Sequence, residues 1–278
     1  MKDRRLYPAN ERVAHESLRG QVDGVEYVHW RKSYVSMPVA DLLEAPCGSR
    51  DRQVLYGQLV HVLETYNGWS FVSCYPNSYV GYVRAEHLVD HRQATHWVTA
   101  RATHLYSERN FKSDDLMLLP FGSSVVVIGA SEKYLETPDG YVPKRHVQET
   151  SKLFEDPVDV ADLHLGAPYL WGGDSVLGID CSGLVQIACR ACAIPCPGDS
   201  DMQEAELGDH LADDAPLQRG DLLFWKGHVA LVADPTTIIH ANAFHMAVSY
   251  EPIDVAISRI EAQGDGPVTS RKRLEQFA

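Results

Sequence analysis

Positive charge is scarce in this chain. Its 25 Lys and Arg are outnumbered by 38 Asp and Glu, which leaves a formal net charge of −13 over 278 residues. Binding a phosphate backbone needs a concentrated basic surface, so no nucleic-acid partner is expected. Long apolar runs are missing too. No stretch reaches the length that spans a bilayer, so no membrane partner is expected. The opening residues Met1-Lys2-Asp3-Arg4-Arg5-Leu6-Tyr7-Pro8 are basic, but no apolar segment follows them. They do not read as a secretory signal, and the cytoplasm is the expected compartment. Cysteine is too sparse for a disulfide scaffold: Cys47, Cys74, Cys181, Cys189, Cys192 and Cys196 are all there are. Cys189 and Cys192 have the spacing of a redox or zinc pair. A structural zinc site needs a second pair at matching spacing, and none is present, so no metal is expected. These cysteines are expected to be small residues buried on a helix.

What is present describes a globular protein, with 45% hydrophobic and 23% charged residues and room for two or three domains. Residues 1–25 are polar and read as a leader that packs on something else. From about 30 to 150, short alternating apolar runs are separated by turn residues. Val54 to Leu63 is one such run; Gly68-Trp69-Ser70-Phe71-Val72 and Tyr79-Val80-Gly81-Tyr82-Val83 are others. Asn67-Gly68 and Pro76-Asn77-Ser78 supply the turns, and the spacing predicts a small barrel of short strands. The pattern then recurs. Gly57 to Leu63 is echoed by Gly122 to Ile128, and Gly81-Tyr82-Val83 with His87 by Gly140-Tyr141-Val142 with His146. Each unit resembles a bacterial SH3-like (SH3b) domain. The expected division is 26–93 for the first and 94–150 for the second, which is expected to be shortened and to lack the Gly-Trp strand. Pro157 to Asp162 reads as a linker into a third region, 151–278. There Ser182 to Ala193 predicts a buried helix. Asp221 to Trp225, His228 to Ala233 and Thr236 to Ala241 predict consecutive antiparallel strands, an α+β pattern.

The chemistry centres on Gly178-Ile179-Asp180-Cys181-Ser182-Gly183. A cysteine in the first turn of a helix has backbone amides and the helix dipole to favour its thiolate, and the same amides suit a developing oxyanion. Such a nucleophile needs a base, and the base needs an orienting group. His228 opens one predicted strand after Gly227, and His240 ends the next. In an antiparallel hairpin the two can lie side by side, with His228 as the base and His240 fixing its tautomer.

Five segments then occur in order: Pro168-Tyr169-Leu170-Trp171-Gly172-Gly173, Asp180 to Val185, Arg219 to Phe224, Gly227 to Val232 and Ile239-His240-Ala241. Together they closely resemble the NlpC/P60 cysteine peptidases over residues about 155–278. The resemblance implies a papain-like catalytic domain, with the Cys-bearing helix packed on an antiparallel sheet, preceded by two small SH3-like barrels. It implies a catalytic set of Cys181, His228 and His240, with no metal and no cofactor.

The resemblance also implies a substrate. Members with two SH3b units act on free murein peptides, cutting between γ-D-Glu and a diamino acid and releasing L-Ala-γ-D-Glu. Asp180 and Ser182 match positions that hold the free amine of the N-terminal L-Ala. Tyr79 and Glu44, from the first SH3b unit, match residues that reach the same pocket. Tyr169 matches a cleft residue whose hydroxyl supports the oxyanion or thiolate, and Trp171 a cleft wall. Ser200 and Asp201 match a motif at the substrate's far side. Gly198 stands where the family often has Arg, which leaves the diamino acid open between diaminopimelate and Lys. The rival readings are a general wall-lytic D,L-endopeptidase, an acyltransferase on the same fold, and a non-catalytic SH3b peptide-binding protein.

Overall fold

The computed structural model describes residues 3–90 and 93–274. The chain divides into two compact units, Met1–Thr150 and Ser151–Ala278.

In the first unit a seven-stranded antiparallel sheet curls around one apolar core. In spatial order its strands are Arg50–Leu55, Val39–Leu43, Val80–Arg84, Trp69–Cys74, Leu59–Tyr66, Arg31–Val35 and Leu88–Val89. Alternate residues point inward as the pleat requires, so Val35, Leu42, Val54, Val60, Val62, Val72 and Val83 share the core. The run from Val54 to Leu63 is two strands rather than one, broken at Tyr56-Gly57-Gln58. Gly57 sits at φ +74, and a Cβ there would lie 2.0 Å from Ser124 O. Only glycine permits that approach of two backbones. Asn67 and Gly68, both at positive φ, make the two-residue turn between Tyr66 and Trp69.

The leader lies on this barrel. Val13–His15 pairs in parallel with Glu26–Val28, and Val13 packs with Leu63, Phe71 and Val80. Arg12 Nε binds Glu64 Oε1 at 2.6 Å, and Arg4 makes two bonds to Asp51 at 2.7 and 2.8 Å.

Residues 94–150 form a three-stranded and a five-stranded sheet around Val98, Leu105, Leu119, Val125, Leu135, Val142 and Val147. The strand expected to be missing here is present. Tyr134–Thr137 pairs with Gly140–Pro143, Tyr134 opposite Pro143, just as Trp69 lies opposite Arg84 in the first barrel. Pro143 and Arg84 each follow the matching Gly-Tyr-Val, so Tyr134 stands in the Trp69 position. The motif was hidden because Lys133-Tyr134 replaces Gly68-Trp69. A short 3-10 turn follows each of these strands, ending at His87 and His146.

The second unit is a six-stranded antiparallel sheet with four helices among the described residues. The strand order is Asp209–His210, Ser270–Arg273, Leu222–Trp225, His228–Asp234, Thr237–Asn242, Ala247–Pro252. The segment expected to be a linker is helix α1, Pro157–Asp162. The Asp156 carboxylate accepts from Val158 N at 2.7 Å, and Pro157 takes the first helical position. Val158, Val160 and Ala161 are buried, and α1 packs against α2, Cys181–Ala191. Helix α2 ends two residues earlier than expected, at Ala191, because Ala193 turns to φ 60. Helix α3 is Ser200–Glu206. Helix α4, Ile253–Gln263, covers one face of the sheet, where Ala256 and Ile260 meet Leu223, Trp225, Ala230, Val232 and Ile238.

Candidate active site

Cys181 is the first residue of α2, and Asp180 is its N-cap. Asp180 Oδ1 accepts from Gly183 N at 2.7 Å and Ser182 Oγ at 3.0 Å, while Oδ2 accepts from Gly172 N at 2.8 Å. One buried carboxylate thus fixes both the start of the helix and the Trp171–Gly173 turn. Gly183 is required by packing, since a Cβ there would lie 2.4 Å from Gly173 O.

The thiol donates toward Gly227 O at 3.9 Å, the peptide just before His228. Burial pushes the Cys181 thiol up to about 12, and the Asp180 charge adds to this; the amides of Val229, Ser182 and Cys181 act in the opposite sense. His228 is pushed down to about 3, first by burial and then by the neighbouring His240 and Arg259. The site at rest therefore holds an uncharged thiol beside an uncharged imidazole.

His228 opens the strand His228–Asp234 through the tight turn at Lys226-Gly227, with Gly227 at φ +76. His228 Nε2 lies 2.9 Å from His240 Nδ1, and the rings meet edge to face with centroids 5.1 Å apart. Trp225, 1% exposed, lies beside His228 with ring centroids 5.6 Å apart. The polar chain continues past His240. His240 Nε2 lies 3.0 Å from Glu251 Oε2, and the Arg259 guanidinium grips both Glu251 oxygens, Nε to Oε1 at 2.8 Å and Nη2 to Oε2 at 2.7 Å. Burial alone would raise the Glu251 carboxyl, but the bonds from Arg259 and His240 hold it at about 2. His240, His245 and Glu251 bring ligand-type atoms within 4.8 Å of one another. The Arg259 charge on Glu251 opposes a metal cation there.

Glu251 and Arg259 were missed from the sequence. A Glu in a short strand and an Arg on an amphipathic helix look like solvated residues, and only the register Ile238 to Glu251 places the carboxylate diagonally from His240.

Tyr169 sits beside this centre, with its hydroxyl pKa raised by burial and by the nearby Cys181 and Asp180. It stays protonated at neutral pH and remains a hydrogen-bond donor. Trp171 is 69% exposed. Ser200 and Asp201 begin α3, and Gln203 of that helix reaches α2. Its Nε2 donates to Ser182 O at 2.9 Å and to Pro197 O at 3.1 Å. Tyr79 and Glu44 belong to the first unit. Tyr79 is 2% exposed, in the core of the first barrel. Glu44 is exposed beside Arg4, 3.6 Å away.

A cysteine in the first turn of a helix, set against a sheet that carries two bonded histidines, is the arrangement that a thiol nucleophile requires. Comparison with known proteins is more specific. The profile of the NlpC/P60 family matches residues 166–261, and that of the bacterial dipeptidyl-peptidase SH3 domain matches residues 42–88. Dipeptidyl-peptidase 6 of Lysinibacillus sphaericus is 30% identical over 229 residues, covering 73% of this chain and 83% of that protein. The gamma-D-glutamyl-L-lysine dipeptidyl-peptidase of Bacillus subtilis is 29% identical over 217 residues, covering 68% and 71%. The crystal structure of an NlpC/P60 family protein from Bacillus cereus shares the fold, with a TM-score of 0.72 at 19% identity, covering 88% of this chain and 99% of that one. This chain belongs to the NlpC/P60 family of peptidases and carries a bacterial SH3 domain before its catalytic domain.

Proposed function

We propose that the protein is a cysteine peptidase that hydrolyses the bond between γ-D-Glu and a diamino acid, Lys or diaminopimelate, in free murein peptides with an unblocked N-terminal L-Ala. The observation that carries this reading is the bonded pair His228–His240 beside Cys181 at the capped start of α2. The likeness to the B. subtilis gamma-D-glutamyl-L-lysine dipeptidyl-peptidase supports the substrate class.

In this mechanism His228 takes the proton of Cys181, and the thiolate attacks the γ-D-Glu carbonyl. The Cys181 amide and the Tyr169 hydroxyl hold the oxyanion. His228 protonates the leaving amine, and water then hydrolyses the thioester to release L-Ala-γ-D-Glu. Asp180 is buried, and among the described residues its bonds run to two backbone amides and one hydroxyl. A buried carboxylate bonded in this way suits the substrate's ammonium, with Ser182 beside it. Trp171 forms a cleft wall, and Ser200 and Asp201 lie toward the substrate's far side. We read the helix-on-sheet arrangement as papain-like, residues 94–150 as a second SH3-like unit, and the setting as cytoplasmic peptide recycling.

The test is to incubate the protein with L-Ala-γ-D-Glu-L-Lys, its diaminopimelate analogue and purified sacculi, and to identify products by mass. Release of L-Ala-γ-D-Glu from the free peptides alone supports the reading. Digestion of sacculi points instead to a wall-lytic endopeptidase.

A further inference from the structure

We propose that Glu251, gripped by Arg259, is a positioning residue that dictates which ring nitrogen of His228 carries its proton, leaving Nδ1 bare as the base for Cys181. The inference rests on the reading of Cys181 and His228 as nucleophile and base.

Glu251, His240 and His228 form a chain of donors and acceptors. An ionised carboxylate can only accept, so the 3.0 Å contact with Glu251 Oε2 requires a proton on His240 Nε2. Burial disfavours a charged His240, so its ring has one proton and Nδ1 is an acceptor. The 2.9 Å contact then requires His228 Nε2 to donate. A neutral His228 that donates from Nε2 has its lone pair on Nδ1. Reversing any one step puts the proton on His228 Nδ1, where it cannot accept one from a thiol.

Arg259 makes the first step hold. A carboxylate as buried as Glu251, standing alone, would take up a proton and donate it to His240, inverting the whole chain. Both guanidinium bonds land on Glu251, and Arg259 is itself fixed by Gln263 Oε1 at 2.8 Å and by the Phe244 ring at 4.6 Å. The charged and titratable groups facing the carboxylate are His240 on the neighbouring strand, His245 on the hairpin loop and Arg259 on α4. The Glu251–Arg259 pair carries no net charge. At His228 the positive charge of Arg259 outweighs the negative charge of Glu251. The contribution of the pair is therefore orientation of protons rather than stabilisation of an imidazolium.

Three readouts test this. In the wild-type protein, 15N NMR of the histidines should find His240 protonated on Nε2 and His228 bare on Nδ1; a proton on His228 Nδ1 overturns the proposal. Glu251→Gln offers His240 either an accepting carbonyl oxygen or a donating amide NH2. It should lower kcat at least about ten-fold at unchanged KM and slow iodoacetamide alkylation of Cys181, located by mass, by a similar factor. A folded Glu251→Gln protein that matches wild type in both overturns it. Arg259→Met should move the acid limb of the alkylation pH profile upward by about one unit or more, and Arg259→Lys should largely restore it. An unmoved limb in Arg259→Met overturns the proposal. Alkylation needs no peptide, so it decides the matter even if the proposed substrate is wrong, and wild-type NMR and the Arg259 variants decide it if Glu251→Gln does not fold.

Discussion

His228 Nε2 and His240 Nδ1 lie 2.9 Å apart on neighbouring strands. An orienting group of this kind holds the base in one tautomer, and its loss is felt in the chemical step. His240→Ala should therefore reduce kcat by roughly 10²- to 10³-fold with little change in KM, as steady-state kinetics on L-Ala-γ-D-Glu-L-Lys would show. Cys181→Ala should have no turnover and an unchanged circular dichroism spectrum.

Asp180 combines an N-cap with the proposed recognition of the substrate's amine. Asp180→Ala removes an N-cap and strands the buried Gly172 N–H, at a cost of on the order of 3 kcal/mol in denaturant unfolding of the catalytic unit. Asp180→Asn keeps an oxygen for Gly183 N but loses the charge. It should fold and lose its preference for an unblocked N-terminus, read as the ratio of kcat/KM on free and N-acetylated peptides.

Acid should weaken the catalytic unit in two overlapping windows. His228 lies at about 3 in the folded protein against an ordinary 6.5. The unfolded chain therefore binds a proton that the folded one refuses, and stability is lost as pH falls from 6.5 toward 3. Glu251 lies at about 2 against 4.5. Its contribution is present above 4.5 and is lost as pH falls toward 2. Thermal melting against pH should show both, and His228→Asn should flatten the upper part while leaving the lower one.

Gly57→Ala tests the close approach within the first unit. A Cβ at φ +74, 2.0 Å from Ser124 O, forces the backbone apart. The substitution should cost more than about 2 kcal/mol in chemical denaturation of that unit. The equally left-handed Gly68 meets nothing within 4 Å. Gly68→Ala should cost only about 1 kcal/mol.

What could be read from the sequence was local. Cys181 at a helix start, the strands bearing His228 and His240, and the Asn67-Gly68 turn each follow from residues close in the chain. The elements that escaped depend on partners far away or on very short spans. Helix α1 has six residues, too few to show a period, although Asp156-Pro157 is a helix-start signal. The Tyr134–Thr137 strand is recognisable only by its register with Gly140–Pro143. Glu251 belongs with the histidines because of strand pairing and a guanidinium eight residues further on, which no spacing announces. Tyr79, which the resemblance matches to a residue of the substrate pocket, packs in the barrel core, a setting that an aromatic beside a strand does not announce.

The central claim is that a free amine is read and a γ-D-glutamyl bond is cut by Cys181. The most direct measurement compares L-Ala-γ-D-Glu-L-Lys with its N-acetyl form under identical conditions, following products by mass. The account predicts that the free peptide yields L-Ala-γ-D-Glu and lysine, that the acetylated peptide is cut at least about a hundred-fold more slowly, and that Cys181→Ala cuts neither. Equal cleavage of both peptides, or cleavage by Cys181→Ala, would contradict it.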